Sequence, residues 1–412
     1  MWNPRSVHYA SLGVALLLIL VIGRDQWFFG DDWAILAPRF DAAVLVPHVG
    51  HWNLGPAVVF PLVRNWLGLG SYLPYLALAV LVHLAVAHLS WRIMNRVGVS
   101  AWVSTLLAAL VMVLGAAAEN ILWAFQFGFM GAILLGLGVV LLVDRPAIPW
   151  AAVIPLSMAA VTFSSTAIPV LAAAGVVAWV RHGLPKTLLA LLPSALMYLA
   201  WYLLVSRQYP SHVSSLDGLD DVPGALLYGS AMYVGGLGRM FPLIVLGVVP
   251  AAAVAVWLAV TVRRGIATSA TAAYALAIGS AVFVGMTAWS RSSLGLTAAA
   301  SQRYAYLTIV LLLPALGLLL SWLAARGKPA FVVTTVALVG LVGFNGALLA
   351  AEAAVQSDRE FASRDRVLRT LELVLEHPGD ETLLTTPADP EWSPDLLGSD
   401  LVLLAKWRQL LP

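Results

Sequence analysis

The sequence predicts an all-α polytopic membrane protein with about eleven transmembrane helices, each near the roughly 20 residues that cross a bilayer. Three observations carry this. Of 412 residues, 61% are hydrophobic and 11% charged, with a mean hydropathy of +0.88, so there is too little polar side chain to cover a soluble globule. Apolar windows recur from Val7 to Ala351 and then stop. Basic residues alternate between the connecting segments, as the positive-inside rule requires of a polytopic chain.

In order, the windows are Val7–Ile22, Leu73–Trp91, Ala101–Ala118, Ile121–Val143, Trp150–Phe163 and Ala167–Val180. They continue with Thr187–Ser206, Pro242–Val262, Ala267–Ala288, Tyr304–Ala325 and Phe331–Ala351. The first follows Arg5 but runs into Gly23, Arg24 and Asp25 without a small-x-small cleavage site, and reads as a retained helix instead of a signal peptide. With the amino terminus cytoplasmic, Arg5, Arg92, Arg96, Arg145, Arg181, Lys186, Arg263, Arg264, Arg326 and Lys328 fall inside. Asp144 is the one acid among them; the other acids fall outside.

Residues 1–351 therefore read as the membrane domain and 352–412 as a small extracytoplasmic tail. Two outer segments are long. Residues 23–72 exceed what a turn needs, and long ordered loops tend to be functional. Pro38, Pro47, Pro56 and Pro61 divide that segment into surface helices, with His48, His51, Trp52 and Asn53 between them. Residues 207–241 carry Asp217, Asp220 and Asp221 without the alternating ligands of a calcium loop, then a Gly-rich apolar stretch that enters the membrane without crossing. In the tail, Phe361, Val367, Leu368, Leu371 and Val374 give Glu352–Glu376 helical periodicity. Leu401–Leu411 forms a last small helix, and the tail packs on the outer face as a lid or docking element.

Net charge near +2, with singly scattered arginines, points away from nucleic acid as a partner. The absence of cysteine removes disulfides, thiolate metal sites and a cysteine nucleophile. Heavy Ala, Val, Leu, Trp and Arg usage with few lysines resembles a high-GC bacterial genome. The windows hold almost no ionisable residue, and no internal repeat recurs, both unlike ion-coupled transporters. His83 and His88, five apart on one helix, read as packed residues.

Polar groups gather instead at the outer helix ends. Trp27–Phe40, WFFGDDWAILAPRF, places Asp31 and Asp32 just past the first window, where acids need a partner, a cavity or a function. Two readings stand: a catalytic pair, or solvated acids amid an aromatic belt. Adjacent side chains diverge by about 100° on a helix, so one acid does chemistry while the other fixes the loop or a metal. Glu119 and Asn120 occupy the short turn before the fourth window, with Gln126 farther in. Asp32 and Glu119 could share Mg2+ or Mn2+, which prefer oxygen ligands. Arg291, and Arg303 and Tyr304 in SQRYAY, suit a phosphate. Trp33, His51 and Trp52 could contact a sugar, or simply pack at the interface.

An inside amino terminus, GDDW just past the first helix and a long first outer loop of surface helices resemble the GT-C class of polyprenyl-phosphate-sugar-dependent glycosyltransferases. The resemblance implies an inverting enzyme of the cell envelope, in the cytoplasmic (inner) membrane, with its site on the extracytoplasmic side. It implies that Asp31 or Asp32 is the base or acceptor-orienting acid. By position it implies a second-loop acid at Glu119 and a donor-phosphate contact at Arg303. The short tail, where larger members carry a carbohydrate-binding domain, favours a glycolipid or polysaccharide acceptor. The rival from another class is a lipid-linked saccharide flippase or other transporter; a scaffold subunit is a third.

Overall fold

The computed structural model describes residues 3–37, 44–209, 221–264 and 268–405. Pro38, Asp217, Asp220, Ala267 and residues 406–411 of the expected last helix lie outside them.

Helix α1 (Pro4–Ile22) starts with Pro in its first turn, under an Asn3 cap that accepts from Arg5 N–H. The first outer segment holds two short helices, α2 (Asp31–Leu36) and α3 (Leu54–Leu67). Helix α4 (Leu73–Val97) ends on left-handed Gly98, and α5 is Ala101–Met112. A break at Val113–Leu114 leads into a single tight turn and α6 (Ala118–Leu122), bent 45° from α5. Next come α7 (Phe127–Val143), α8 (Trp150–Phe163), α9 (Ala167–His182) and α10 (Leu184–Leu204). They are followed by α11 (Val222–Gly238), α12 (Val248–Arg264), α13 (Thr271–Arg291), α14 (Leu296–Ala299) and α15 (Gln302–Ala324). Helix α16 runs Lys328–Glu376, then α17 is Glu381–Thr385. Strands β1 (Pro387–Asp389) and β2 (Ser393–Leu397) pair antiparallel before α18 (Gly398–Ala405).

Among the described residues, eight helices are long and apolar enough to cross a membrane, or nine if the bent α5–α6 pair is one span. The chain is a polytopic, predominantly helical membrane protein. The two remaining expected spans, α8 and α9, have 14 and 16 residues, about 21 and 24 Å at 1.5 Å per residue. Neither reaches across a hydrocarbon core of about 30 Å unaided.

Four details depart from the sequence expectations. The third window is broken between Met112 and Gly115, and the fourth between Leu122 and Phe127, because the chain there turns to line the site. The Gly-rich stretch is a regular helix, α11, packed on α13 and α15. No break separates the last window from the tail helix: α16 is continuous for 49 residues. The tail carries a hairpin that composition did not predict, tied to α16 by Ser363 and Arg366, which both donate to buried Asp389.

The break is held by Asn345 of α16. Its side-chain oxygen accepts from Ala116 N–H at 3.2 Å, and its amide donates to Met240 O at 3.1 Å and Leu341 O at 3.0 Å. A Cβ at Gly115 would collide with the α16 backbone at Asn345 and Leu349, so glycine permits this approach. His83 is packed as expected, bonded to Tyr306 hydroxyl and Met112 carbonyl.

Charges sort to the two ends of α4. At its carboxyl end Asp144 is gripped by Arg96 (2.6 Å) and Arg181 (2.9 Å). At its amino end, about 36 Å away for 25 helical residues, Tyr72 touches Asp32. Arg96, Arg181 and Asp144 thus meet at one end of the helix bundle.

Asn345→Ala strands a buried donor at Ala116 and an acceptor at Met240, costing about 1–3 kcal/mol. Thermal unfolding in detergent should show a lowered midpoint; an unchanged midpoint means that packing alone holds the bent pair.

Candidate active site

The site is built on the turn entering α2. Gly30 takes φ +52°, a conformation that glycine adopts without penalty, and turns the chain so that Asp31 and Asp32 open a helix. Acids in a first helical turn complement its dipole. Phe29 N–H and Tyr72 OH both donate to Asp32 Oδ2, at 3.1 and 3.2 Å. Tyr72 in turn accepts from Ala124 N–H at 2.6 Å, so one hydroxyl joins the acid turn to the segment before α7. Asp32 has no exposure, and burial, with neighbouring Asp31 adding to it, pushes its pKa up to about 8 against the pull of its hydrogen bonds. Burial thus biases Asp32 toward its neutral form.

Asp31, one residue earlier, points the other way. Its carboxylate is 29% exposed and 2.9 Å from His48 Nε2. His48 is set by reciprocal backbone bonds with His51 around a turn in which Val49 takes φ +49°. A β-branched residue in that region stores about 1–3 kcal/mol of strain, here on a cavity wall. His51 is bonded to Ser165 Oγ; burial, then the nearby Arg291, lowers its pKa to about 4, leaving it neutral.

Asp31 and Arg303 are shared by two adjoining cavities. The first, about 80 Å³, is also walled by His48, His51, Gln126, Arg291 and Tyr304. Arg291 Nη1 donates to Tyr304 OH at 2.9 Å, leaving other guanidinium N–H groups for a ligand. The second cavity, about 450 Å³, has Glu119, Trp123, Arg239, Gln302, Arg359 and Trp392 in its wall. Arg303 Nε lies 2.9 Å from Glu119 Oε1, an ion pair at the boundary. Beyond Arg291 and Tyr304, a pocket lined by Met286 leads to an apolar groove of about 610 Å³ among α8, α9, α10 and α13, which shares Met286.

The structure thus brings Asp31, His51, Gln126, Arg291, Arg303 and Tyr304 to one cavity, with Glu119 in the next. Three expected contacts sit elsewhere. Trp33 is 1% exposed, packed on Trp27 and Phe28. Trp52 stacks on Trp201 at 5.1 Å. Asn120 is buried behind the wall, donating to Gln126. These large or amide-bearing side chains are worth more as packing between helices than as a floor. The two acids expected to share a cation are not oriented on one point: Asp32 faces Phe29 and Tyr72, whereas Glu119 faces Arg303. Among the described residues no cluster of three or more His, Asp or Glu is arranged to hold a metal.

No family model and no curated protein matches the chain. Among solved structures it is similar to the crystal structure of ArnT from Cupriavidus metallidurans bound to undecaprenyl phosphate. That similarity covers 98% of this chain and 76% of that chain at 16% identity, with a TM-score of 0.43.

Several site residues carry no sequence signal of their role. His48 is legible only as a histidine three before His51. Tyr72 merely ends the first outer segment, and Arg239 and Arg359 are isolated cations in distant segments that the fold brings to the second cavity.

Because folded Asp32 holds its proton up to about pH 8 while the unfolded chain releases it near 3.8, the native state binds the extra proton between those values. Asp32's contribution to stability is then complete below about pH 4 and is lost as pH rises toward 8. Unfolding midpoints in detergent across that range should fall less steeply for Asp32→Asn than for the parent; parallel slopes would show that Asp32 titrates normally.

Proposed function

We propose that the chain is a membrane glycosyltransferase that moves a sugar from a polyprenyl-phosphate donor to a hydroxyl of a glycolipid or cell-envelope polysaccharide, on the extracytoplasmic side of the inner membrane. The observation that carries this reading is one cavity holding an accessible carboxylate, Asp31, opposite two arginines and a tyrosine hydroxyl, Arg291, Arg303 and Tyr304. The apolar groove reached past Met286 suits the donor's hydrocarbon chain. The sorting of basic residues supports the assignment of face.

In this reading Asp31 is the general base and Asp32, neutral and buried, holds the turn. The acceptor oxygen attacks the anomeric carbon as its proton passes to Asp31. The bond from that carbon to the phosphate oxygen breaks, and its electron pair leaves with the lipid phosphate, inverting the centre. Arg291 and Arg303 offer charge-assisted donors to the departing phosphate. His48 orients the Asp31 carboxylate through their 2.9 Å contact.

The test is transfer of radiolabelled arabinose, mannose, glucose or galactose from polyprenyl-phosphate donors by detergent-purified protein, with envelope lipid extract as acceptor. Turnover without a membrane to cross separates an enzyme from a flippase, and no product with any donor would overturn the reading.

Asp31→Asn should lower kcat about 10²–10⁴-fold, the usual contribution of a general base, while Asp32→Asn, isosteric with the neutral acid, retains most of it. The reverse ranking exchanges the two roles. Arg303→Ala should raise the donor KM more than the acceptor KM; equal effects remove its phosphate role.

A further inference from the structure

The buried side chains of α16 beyond its apolar half fall on one stripe, Ala353, Ser357, Glu360, Ser363, Val367, Leu371 and Val374, at the spacing of three and four residues that keeps one helix face. The middle of the stripe is polar, and Ser357 and Glu360 there bind the backbone of the acid turn. Gln26 Nε2 donates to Ala353 O at 2.9 Å, and Ser357 Oγ donates to Asp25 O at 3.0 Å. Glu360 has no exposure; its Oε2 accepts from Trp27 N–H at 2.7 Å and its Oε1 from Gln356 Nε2 at 2.8 Å. One turn on, Ser363 and Arg366 secure Asp389 and with it the hairpin. From that hairpin Ser393 Oγ accepts from Gly30 N–H at 3.2 Å, and Trp392 packs on Phe29 at 5.3 Å. Irregular backbone at a membrane boundary must find such partners or leave its groups unpaired.

We propose that Glu360 is a positioning residue for Asp31: by holding Trp27 N–H it fixes the Trp27–Gly30 segment whose turn at Gly30 aims Asp31 into both cavities. The inference rests on Asp31 acting as the base. It assigns a role in the reaction to the tail, through a side chain that touches no substrate. Displacing a reacting group by about 1 Å costs on the order of 100-fold in rate without weakening binding, so loss of the clamp lowers kcat and leaves KM alone.

The experiment pairs amide hydrogen exchange of the Trp27–Ala34 peptide with transfer kinetics, both on the full chain in detergent. Glu360→Ala should exchange at least about tenfold faster there, as expected for a freed segment, and lose at least about tenfold in kcat at unchanged donor KM. Glu360→Gln, which keeps an oxygen acceptor, should restore most of both. Asp365→Ala, on the exposed side of the same helix, should match the parent. If Glu360→Ala does not fold, Ser393→Ala, which frees only Gly30 N–H, should give a smaller rise in exchange with a fall in kcat in step. Parent-like exchange, or faster exchange with parent kcat, overturns the proposal. If the parent transfers no sugar from any donor, the glycosyltransfer reading fails by itself. Exchange then still decides the clamp, which survives only if Glu360→Ala loosens the turn and Glu360→Gln does not.

Discussion

A carboxyl group with no contact with water stays inside an apolar bundle only if it is neutral or fully hydrogen-bonded, and the acid turn is organised around satisfying that demand for Asp32. Tyr72 from the start of α4 and Phe29 N–H converge on one oxygen, and Tyr72 reaches on to Ala124. Three segments of the chain are thereby tied together through one carboxyl group. Asp31 inherits its direction from this arrangement, because a neighbour on the same helix cannot also face inward. The inner acid ties the segments together and the outer one faces the cavities.

The acid pair was legible in the sequence because charge is conspicuous against so apolar a background, and Arg291, Arg303 and Tyr304 because they end or start long apolar windows. Which acid faces the cavity was not legible, since it depends on the Gly30 turn and on a tyrosine forty residues away. Trp33 and Trp52 illustrate the opposite case: beside the acids in sequence, they are consumed by packing against Phe28 and Trp201. Tryptophan serves cores and sugar platforms equally well, so adjacency carries little information. The fold was read well in its windows and less well in their continuity. Nothing polar announces the break at Met112, which depends on Asn345 of a distant helix, and the change of composition at Glu352 does not interrupt α16.

Glu360 was hidden for a related reason. In a stretch with Asp358, Arg359 and Arg364 nearby it looks like one more solvated charge. Only the fold reveals that its helix face is covered by the acid turn. Sequence patterns report burial through hydrophobicity, and a stripe that buries serine and glutamate against backbone escapes that signal.

The unbroken length of α16 has a mechanical consequence. Forty-nine residues make a rod of about 74 Å, whose amino-terminal half is apolar enough to cross a membrane and whose carboxyl-terminal half grips the acid turn and the hairpin. A tilt adopted to match bilayer thickness is therefore not absorbed at the membrane surface by a flexible joint but carried along the rod as leverage. A change in the angle of one half would therefore be felt at the other, as a load applied to the far end of a lever.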